Sequence, residues 1–571
     1  MKKLILALSI VCATLFEAAP LQAQFTVPDS LFGRNSLYRF TPTGTVDGVG
    51  LLRQSDGTII YGASVINSGD AGYYIDMVAI DHCGSVKLHF GNRGYTHHRF
   101  DLRNVPHVFA LQPDDKILCG GIQAPGSSGS QQLPFIARFN ANGTPDSSFA
   151  QNGSYRLAFD DSSPGTVFSI EQQADGKILA IGTCNCAAAG IMRFTPEGIL
   201  DSSFNGTGKV LQNIPNISYS SEVFGHLQND GSLIVVAARA DAKFIDHWIA
   251  FKLNTHGAID SSFGHQGFFK DTTNMDIYNH GFASAEQSNG SVVLAGLHLE
   301  QDKIVMIRIN PNGIKDSSFG NSGHIVFEIP GAIPKKIRIL QNGQIMVMGS
   351  YNLFPYAFGL LLDEDGHPVP GFGSKGFAVY DLNLGSGTVD LTDILEIPKL
   401  GWYLASSTNE DLLIGKFAEI SNVPHISQPK KSELVTTGSG RYQWFHDNTT
   451  IPGATAKILP ISKTGNYRVR LTDHNNCGYL STPYTVLVVD AENPETEFIA
   501  IQPNPADDLI RISGPAAGSE YRIHQASGKW VQSGLLNTDG TIELGDILPG
   551  FYWIFIEDRN GKSYRGKWVK Q

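Results

Sequence analysis

Charge is scarce in this chain. Of its 571 residues only 17% are Asp, Glu, Lys or Arg, the formal net charge is −11, and no Lys/Arg run occurs. Without basic clusters to neutralise phosphates, nucleic acid is excluded as a partner. Cysteine is rarer still, at six. Setting aside Cys12, which lies in an N-terminal apolar run, leaves Cys83, Cys119, Cys184, Cys186 and Cys477. An odd number in an exported chain implies at least one free thiol. Cys184-Asn185-Cys186 has no His or Cys pair at zinc spacing, and reads as two small apolar residues on one face of a strand. The fold is therefore expected to rest on packing, not on a disulfide framework. No apolar stretch after the N-terminal one reaches the length of a membrane span, so no transmembrane segment is expected in the mature chain. Catalytic signatures are missing too: the sequence holds neither G-x-S-x-G nor H-E-x-x-H. His97 and His98 are strand neighbours pointing to opposite faces, so they do not share a metal. No cofactor and no metal are expected.

What the chain has is glycine (61 residues) and aromatics (10%), which favour many short strands and turns. Its length fits three or four domains. One pentapeptide recurs: DSLFG at 29–33, DSSFA at 146–150, DSSFN at 201–205, DSSFG at 260–264 and DSSFG at 316–320, with degenerate copies KLHFG at 87–91 and VPGFG at 369–373. The Phe residues are Phe32, Phe90, Phe149, Phe204, Phe263, Phe319 and Phe372, spaced by 53 to 59 residues. After each motif come a Gly-containing turn and a short β-type run. A hairpin follows, with Asp-Gly or Asn-Gly at 56–57, 175–176, 230–231, 289–290 and 342–343, read as two-residue type I′ turns. An alternating strand such as IARFN (136–140) then leads into the next motif.

Four antiparallel strands per unit, here d, a, b and c in order, match the period of a β-propeller blade. The chain starts on a lone d strand, Leu37–Phe40, and the array ends on a c strand at 412–420. If the ring closes, the two complete each other and no open sheet edge remains. Seven hairpins and seven motifs predict seven blades. The Asp and Ser of the motif are turn formers, and the Phe is expected to bury against the neighbouring blade, worth roughly 2–3 kcal/mol. Seven copies do not make one active site, and a calcium loop needs several spaced carboxylates where these carry one.

The pattern RFNxNGxxDSSFGxxG followed by QxDGKIL resembles the delta-60 repeat family of bacterial exported proteins across residues 29–420. The resemblance implies a propeller-type fold and brings no established activity with it. SDGT (55–58) is similar to the aspartate box of sialidases but lacks its Gly-x-Thr-Trp ending.

Strand alternation puts the hairpins and motifs on one face, nearly invariant between units, and the d–a and b–c connections on the other. Insertions collect on that second face, commonly the binding face of a repeat protein. Its aromatics Tyr73, Tyr74, Trp248, Tyr351, Phe354 and Tyr356 are candidate ligand contacts. The alternative is that several plug between blades. Strand d ends there on an acid in several units, Asp101, Asp160, Asp271, Glu328 and Asp381. These read as strand-end turn formers, too far apart to share a cation.

Two further domains are expected. In residues 424–489 Trp444 lies on a central strand and Gly465-Asn466-Tyr467 opens a later one, where a tyrosine corner stands in an immunoglobulin-type sandwich. The segment resembles Ig-like modules of exported Bacteroidetes proteins. In those a Cys like Cys477 often has an earlier partner, and residues 430–438 offer none. After a polar linker, 490–497, residues 498–571 resemble the type A C-terminal sorting domain of the type IX secretion system. The matching residues include Pro503, Asn504, Pro505, Gly528, Lys529, Gly550 and Tyr552. At the other end, Lys2 and Lys3, the apolar run 4–16 and the small residues before Ala23 have the form of a signal peptide, 1–23.

The expected fold class is thus all-β: a seven-bladed β-propeller, an Ig-like β-sandwich and a small β-sandwich sorting domain. The resemblances imply export by the type IX secretion machinery to the medium or outer cell surface. The expected function is non-enzymatic binding of an extracellular glycan or protein. The alternative is a glycan-active hydrolase or lyase on the same scaffold.

Overall fold

The computed structural model describes residues 26–28, 37–67, 72–100, 103–124, 132–160, 163–184, 188–214, 222–240, 246–271, 277–298, 303–351, 356–381, 390–397, 401–419, 423–430, 432–473, 477–486, 497–515, 517–526 and 528–570. The signal-peptide segment, Phe32, Asp101, Cys186, Phe354 and most of the 490–497 linker lie outside them. The chain divides into two compact units. One is Met1–Pro424 with Gly438–Gly440 and Leu471–Leu480; the other is His425–Thr437, Arg441–Arg470 and Ser481–Gln571. Every described element is a strand.

In the first unit four sheets have four antiparallel strands each, and begin at the a strands Thr45–Arg53, Arg103–Leu111, Gly165–Gln172 and Ala332–Ile339. An eight-stranded sheet consists of two further sets of four, with a strands Val223–Leu227 and Ile277–Glu286, joined by the single pair Asp246 and Ile277. The last sheet holds Asp390–Ile397, Gly401–Ser407 and Leu412–Glu419. Its outer position is filled from the start of the chain by Leu37–Phe40, Leu37 opposite Gly415 and Phe40 opposite Leu412. Thr26–Pro28 continues that edge opposite Glu419–Phe417. Each a strand touches the a strand of the next set, and Asp390–Ile397 touches Thr45–Arg53. The a strands are therefore innermost.

The b and c strands read as continuous apolar runs because both of their faces are covered. Ile178–Cys184 and Ala188–Phe194 are buried at every position, and each apolar cluster draws on two neighbouring sheets, as Ile60, Met77, Phe90, Ile117, Phe135 and Phe139 do. The a strands differ. In five of them the pairing to b slips by one residue, leaving Val49, His107, Phe168, Lys335 and Thr392 as extra residues. Such bulges bend a strand and re-aim its side chains. His107 and Phe168, from neighbouring sheets, meet with ring centroids 5.4 Å apart.

The a–b hairpins are not type I′. Gly57, Gly176, Gly231, Gly290 and Gly343 have φ between 80° and 85°, whereas Asp56, Asp175, Asp230, Asn289 and Asn342 are not left-handed. Gly57 N–H returns to the Gln54 carbonyl at 3.0 Å while Gln54 N–H takes the Thr58 carbonyl at 2.9 Å, a three-residue loop with a glycine bulge. Asp56 instead accepts the Thr58 amide at 2.8 Å, a short-range bond that holds it in ordinary backbone space.

Cysteine also departs from the sequence expectation. Cys83 and Cys477, 394 residues apart and both in the first unit, form a disulfide. Cys184 is disulfide-bonded as well, and Cys119 is a buried free thiol. The pairing was invisible to the sequence because it needs two distant turns brought together.

In the second unit Ile426–Lys430, Glu433–Thr436 and Ile458–Pro460 form one sheet, and Arg441–His446, Thr449–Thr450, Gly465–Thr472 and Tyr484–Val486 belong to another. Trp444, fully buried, donates its indole N–H to the Ala456 carbonyl at 2.9 Å, and the Tyr467 hydroxyl donates to Lys463 at 2.9 Å. Towards the C-terminus, a five-stranded sheet containing Glu520–Gln525, Gly550–Glu557 and Ser563–Lys570 shares an apolar core with a three-stranded sheet. There Asn504 accepts the Val569 amide at 3.0 Å, and Tyr552 stacks on Trp568 at 5.2 Å and donates to the Leu548 carbonyl at 2.6 Å. The bonds preceding Pro503 and Pro505 are cis, and Gly528 (φ 87°) turns the strand ahead of Lys529. Gly550 opens the strand that carries Tyr552.

Candidate functional site

The repeated motif is a latch between neighbouring sheets. Asp146, Asp201, Asp260 and Asp316 each accept the amide and hydroxyl of the second Ser, the amides at 2.9–3.1 Å. In three copies the other carboxylate oxygen takes the Nε–H of an Arg on the c strand, Arg138 and Arg193 at 2.8 Å and Arg308 at 2.9 Å. The same guanidinium lies over the motif Phe, 4.6 Å above Phe149, 4.5 Å above Phe204 and 4.9 Å above Phe319. It also donates to a carbonyl of the next unit, Pro196, Thr255 or Glu364, at 2.6–2.7 Å. Lys252 occupies this place in the fourth copy and lies 3.7 Å from Asp230 instead.

The residue after the Phe donates its amide to the next unit's turn: Gly91 to Asn142, Ala150 to Glu197, Asn205 to His256, Gly264 to Asn312 and Gly320 to Asp365, at 2.6–2.8 Å. Each turn closes with a left-handed Gly seated on the Phe ring. A Cβ on Gly313 would come within 2.7 Å of Phe263 and 2.5 Å of the Gly264 nitrogen, so only glycine fits. Phe90, Phe149, Phe204, Phe263, Phe319 and Phe372 are all buried. For Asp146, Asp201 and Asp316 burial alone raises the pKa. The Ser partner and the nearby cations outweigh it and hold the carboxyl low, Asp201 at about 2.

The proposed aromatic contacts fare unevenly. Trp248 is fully buried between sheets, against Phe282 and Ala250, because its c strand is covered on both faces. Tyr351 packs beside Phe377 at 6.0 Å. Tyr73 and Tyr74 are half-buried: Arg103 lies 4.1 Å over the first ring, and His97 stacks on the second at 4.0 Å. Tyr356 alone among the described ones is exposed, at 39%. The strand-end acids do not converge. Asp160 accepts the Ser163 amide at 2.7 Å, Asp271 is buried, Glu328 pairs with Lys303 at 2.7 Å, and the Asp381 side chain is outside the described ones.

His97 and His98 do point apart. His97 Nδ1 lies 2.8 Å from the buried carboxylate of Asp76, its cross-strand neighbour, while His98 packs edge-on against Phe100. Burial raises Asp76 to about 6, opposed by His97. His82 lies beside Cys83 and Cys477, but those sulfurs are bonded to each other, so the trio has no thiolate to offer a metal.

A cleft of about 430 Å³ opens on the loop face, where a strands begin and b strands end. It is lined by Thr45, Val46, Asp47, Ile333, Lys335, Ser350, Asp390, Ser407, Thr408 and Asn409. Its walls are tied together: Val46 N–H donates to the Asn409 carbonyl and Gly48 N–H to Ser407 Oγ, both at 3.1 Å. Lys335 Nζ lies 3.6 Å from Asp390 Oδ2, and Ser350 Oγ donates to Asp390 Oδ1 at 3.3 Å. Burial, and then Asp390, raise Asp47, against Lys335. These residues were not singled out from the sequence, although Gly-Thr-Val-Asp stands at both 44–47 and 387–390. That repeat was the available signal.

Two acids stand at the other ends of a strands. Burial, and then Glu286, push Glu171 up to about 8; burial pushes Glu286 up to about 7.

Residues 112–149, 173–204 and 287–319 match the family described as "Domain of unknown function (DUF5122) beta-propeller". No curated protein matches the chain. Among solved structures, a protein of unknown function from Dyadobacter fermentans is similar at 11% identity and TM-score 0.37, covering 67% of this chain and 99% of that one. The β-propeller domain of the trilobed protease from Pyrococcus furiosus is similar at 10% identity and TM-score 0.36, covering 67% and 97%. An ulvan lyase, a polysaccharide lyase, is similar at 9% identity and TM-score 0.39, covering 67% and 96%. The chain is an all-β propeller protein.

Proposed function

We propose that this chain is an exported, non-enzymatic binding protein that takes its ligand on the loop face of a seven-bladed ring. The blade count is supported by seven sets of strands whose a strands touch in a cycle, with Leu37–Phe40 completing the last set. The observation that carries the functional reading is the contrast between the faces. On one, the motif Asp, Arg and Phe are saturated by bonds within and between sheets. The other keeps a 430 Å³ cleft of hydroxyls and charged groups, within the size range of small-ligand sites.

Secretion or display at the outer cell surface rests on the signal-peptide form of residues 1–23 and on the type IX resemblance of 498–571. The Cys83–Cys477 disulfide supports it, since such bonds persist in oxidising compartments. The Trp444 and Tyr467 bonds support an Ig-like module at 424–489. A glycan and peptide array probed with the full chain tests the function. Saturable capture that is lost on substitution in the cleft supports it, and capture indifferent to the cleft contradicts it.

A second reading, a glycan hydrolase or lyase, is favoured by Glu171 and Glu286, acids held protonated near neutral pH at the other end of the a strands. Turnover of a polysaccharide panel that disappears in Glu171→Gln and Glu286→Gln would establish it.

A further inference from the structure

We propose that the loop-face cleft binds a primary ammonium group on a short aliphatic stem, the chemistry of a lysine side chain presented by a protein or peptide. This rests on the loop-face reading and gives its ligand a chemical class.

Two carboxylates, Asp47 and Asp390, and one ammonium, Lys335, line the cleft. Lys335 and Ser350 both engage Asp390. The Asp47 side chain has no hydrogen-bond or ion-pair partner among the described residues, although protein crowds it enough to raise its pKa. A desolvated carboxylate without a partner is costly, and a ligand that brings one positive charge relieves it. Val46 and Ile333 supply aliphatic wall beside it, suited to methylenes. Thr45, Ser350, Ser407, Thr408 and Asn409 leave hydroxyl and amide groups to meet the remaining N–H donors and adjoining backbone. The anchored strand starts at Val46 and Gly48 fix the site before the ligand arrives.

The other ligand classes fit less well. Calcium takes six to eight oxygens, and Lys335 occupies the space between the acids and the remaining oxygens with a like charge. A neutral sugar leaves Asp47 unpaired and finds no aromatic platform, since none of the lining residues is aromatic. The volume suits one side chain or small molecule, not a polysaccharide segment.

The test is calorimetric titration of the full chain with Nα-acetyl-lysine methylamide, its norleucine counterpart, calcium chloride and maltotriose. Saturable binding of the lysine probe is expected, with none by norleucine and with affinity falling as salt rises. Asp47→Asn should weaken it at least tenfold with the thermal midpoint unchanged. Lys335→Gln should strengthen it several-fold by removing the competing cation, a gain that misfolding does not mimic. Equal binding of norleucine, or a lysine affinity indifferent to Asp47→Asn, overturns the inference. So does absence of lysine binding. If calcium or maltotriose binds instead and is lost in Asp47→Asn, the ligand class is wrong and the loop-face reading stands. If the arrays capture a ligand that no cleft substitution affects, the loop-face reading falls too.

Discussion

The amide of Leu51 donates to the carboxylate of Asp393 at 2.9 Å, across 342 residues of chain. Asp393 is almost wholly buried, and it also accepts Arg338 at 2.7 and 2.8 Å and the Ile394 amide at 2.8 Å. Three neighbouring a strands, Ala332–Ile339, Asp390–Ile397 and Thr45–Arg53, are thereby bonded through one side chain. Burial raises its pKa; Arg338, Lys336 and the two amides outweigh it and leave the carboxyl below its ordinary range.

Asp393→Ala leaves a buried guanidinium and an amide without their acceptor. The expected loss is about 3–5 kcal/mol, the scale for breaking one side of a buried pair. Urea denaturation checks it. Asp393→Asn, which keeps an acceptor for Leu51, should lose less, and equal losses would show that the charge alone matters.

Stability should be flat between about pH 4.5 and 6.5 and fall on either side. Glu171 and Glu286 have folded values of about 8 and about 7, above the ordinary 4.5, so the folded state binds more protons and stability declines as pH rises through that window. Burial lowers His107 and His226 to about 4 from 6.5, so the unfolded state binds more protons there and stability rises with pH between those values. The two trends oppose each other up to about pH 6.5. Below the ordinary Asp value of 3.8, the lowered Asp146, Asp201, Asp316 and Asp393 lose their contribution as they protonate. Denaturation midpoints from pH 3 to 9 show the shape. Glu171→Gln should flatten the alkaline limb, and an unaltered limb would contradict this assignment.

Peptide mapping without reductant should find the Cys83 and Cys477 peptides linked. Reduction, or Cys83→Ser, should cost about 2–4 kcal/mol. Unlinked peptides, or no change in midpoint with reductant, would remove the bond from the account.

The repeat was legible because its signals are local: the turn-forming Asp and Ser, the left-handed glycines and the alternating strands all lie within one 53–59 residue period. Even there, turn type escaped, since Asp-Gly serves both type I′ and glycine-bulge hairpins and loop length decides. Trp248 was placed on the surface by its nearness to a variable connection. Its alternation with Ala250 on a strand covered on both faces puts it in the core. The cleft was illegible for a different reason. Asp47, Lys335 and Asp390 come from three units and meet only when the a strands surround an axis, and the bulge that adds Lys335 is a feature of pairing, not of composition.

The central claim is that the repeated Phe holds the ring while the loop-face cleft binds. One paired experiment tests it: unfolding midpoints and lysine-probe affinity for Phe263→Ala and Asp47→Asn in the full chain. Phe263, buried and seated under Gly313, should cost about 3–5 kcal/mol when truncated and leave the probe's affinity intact below the transition. Asp47→Asn should change stability by no more than about 0.5 kcal/mol and lose the probe. If Phe263→Ala unfolds like the wild type but no longer binds, the repeated motif is the functional site and the assignment of the two faces is reversed.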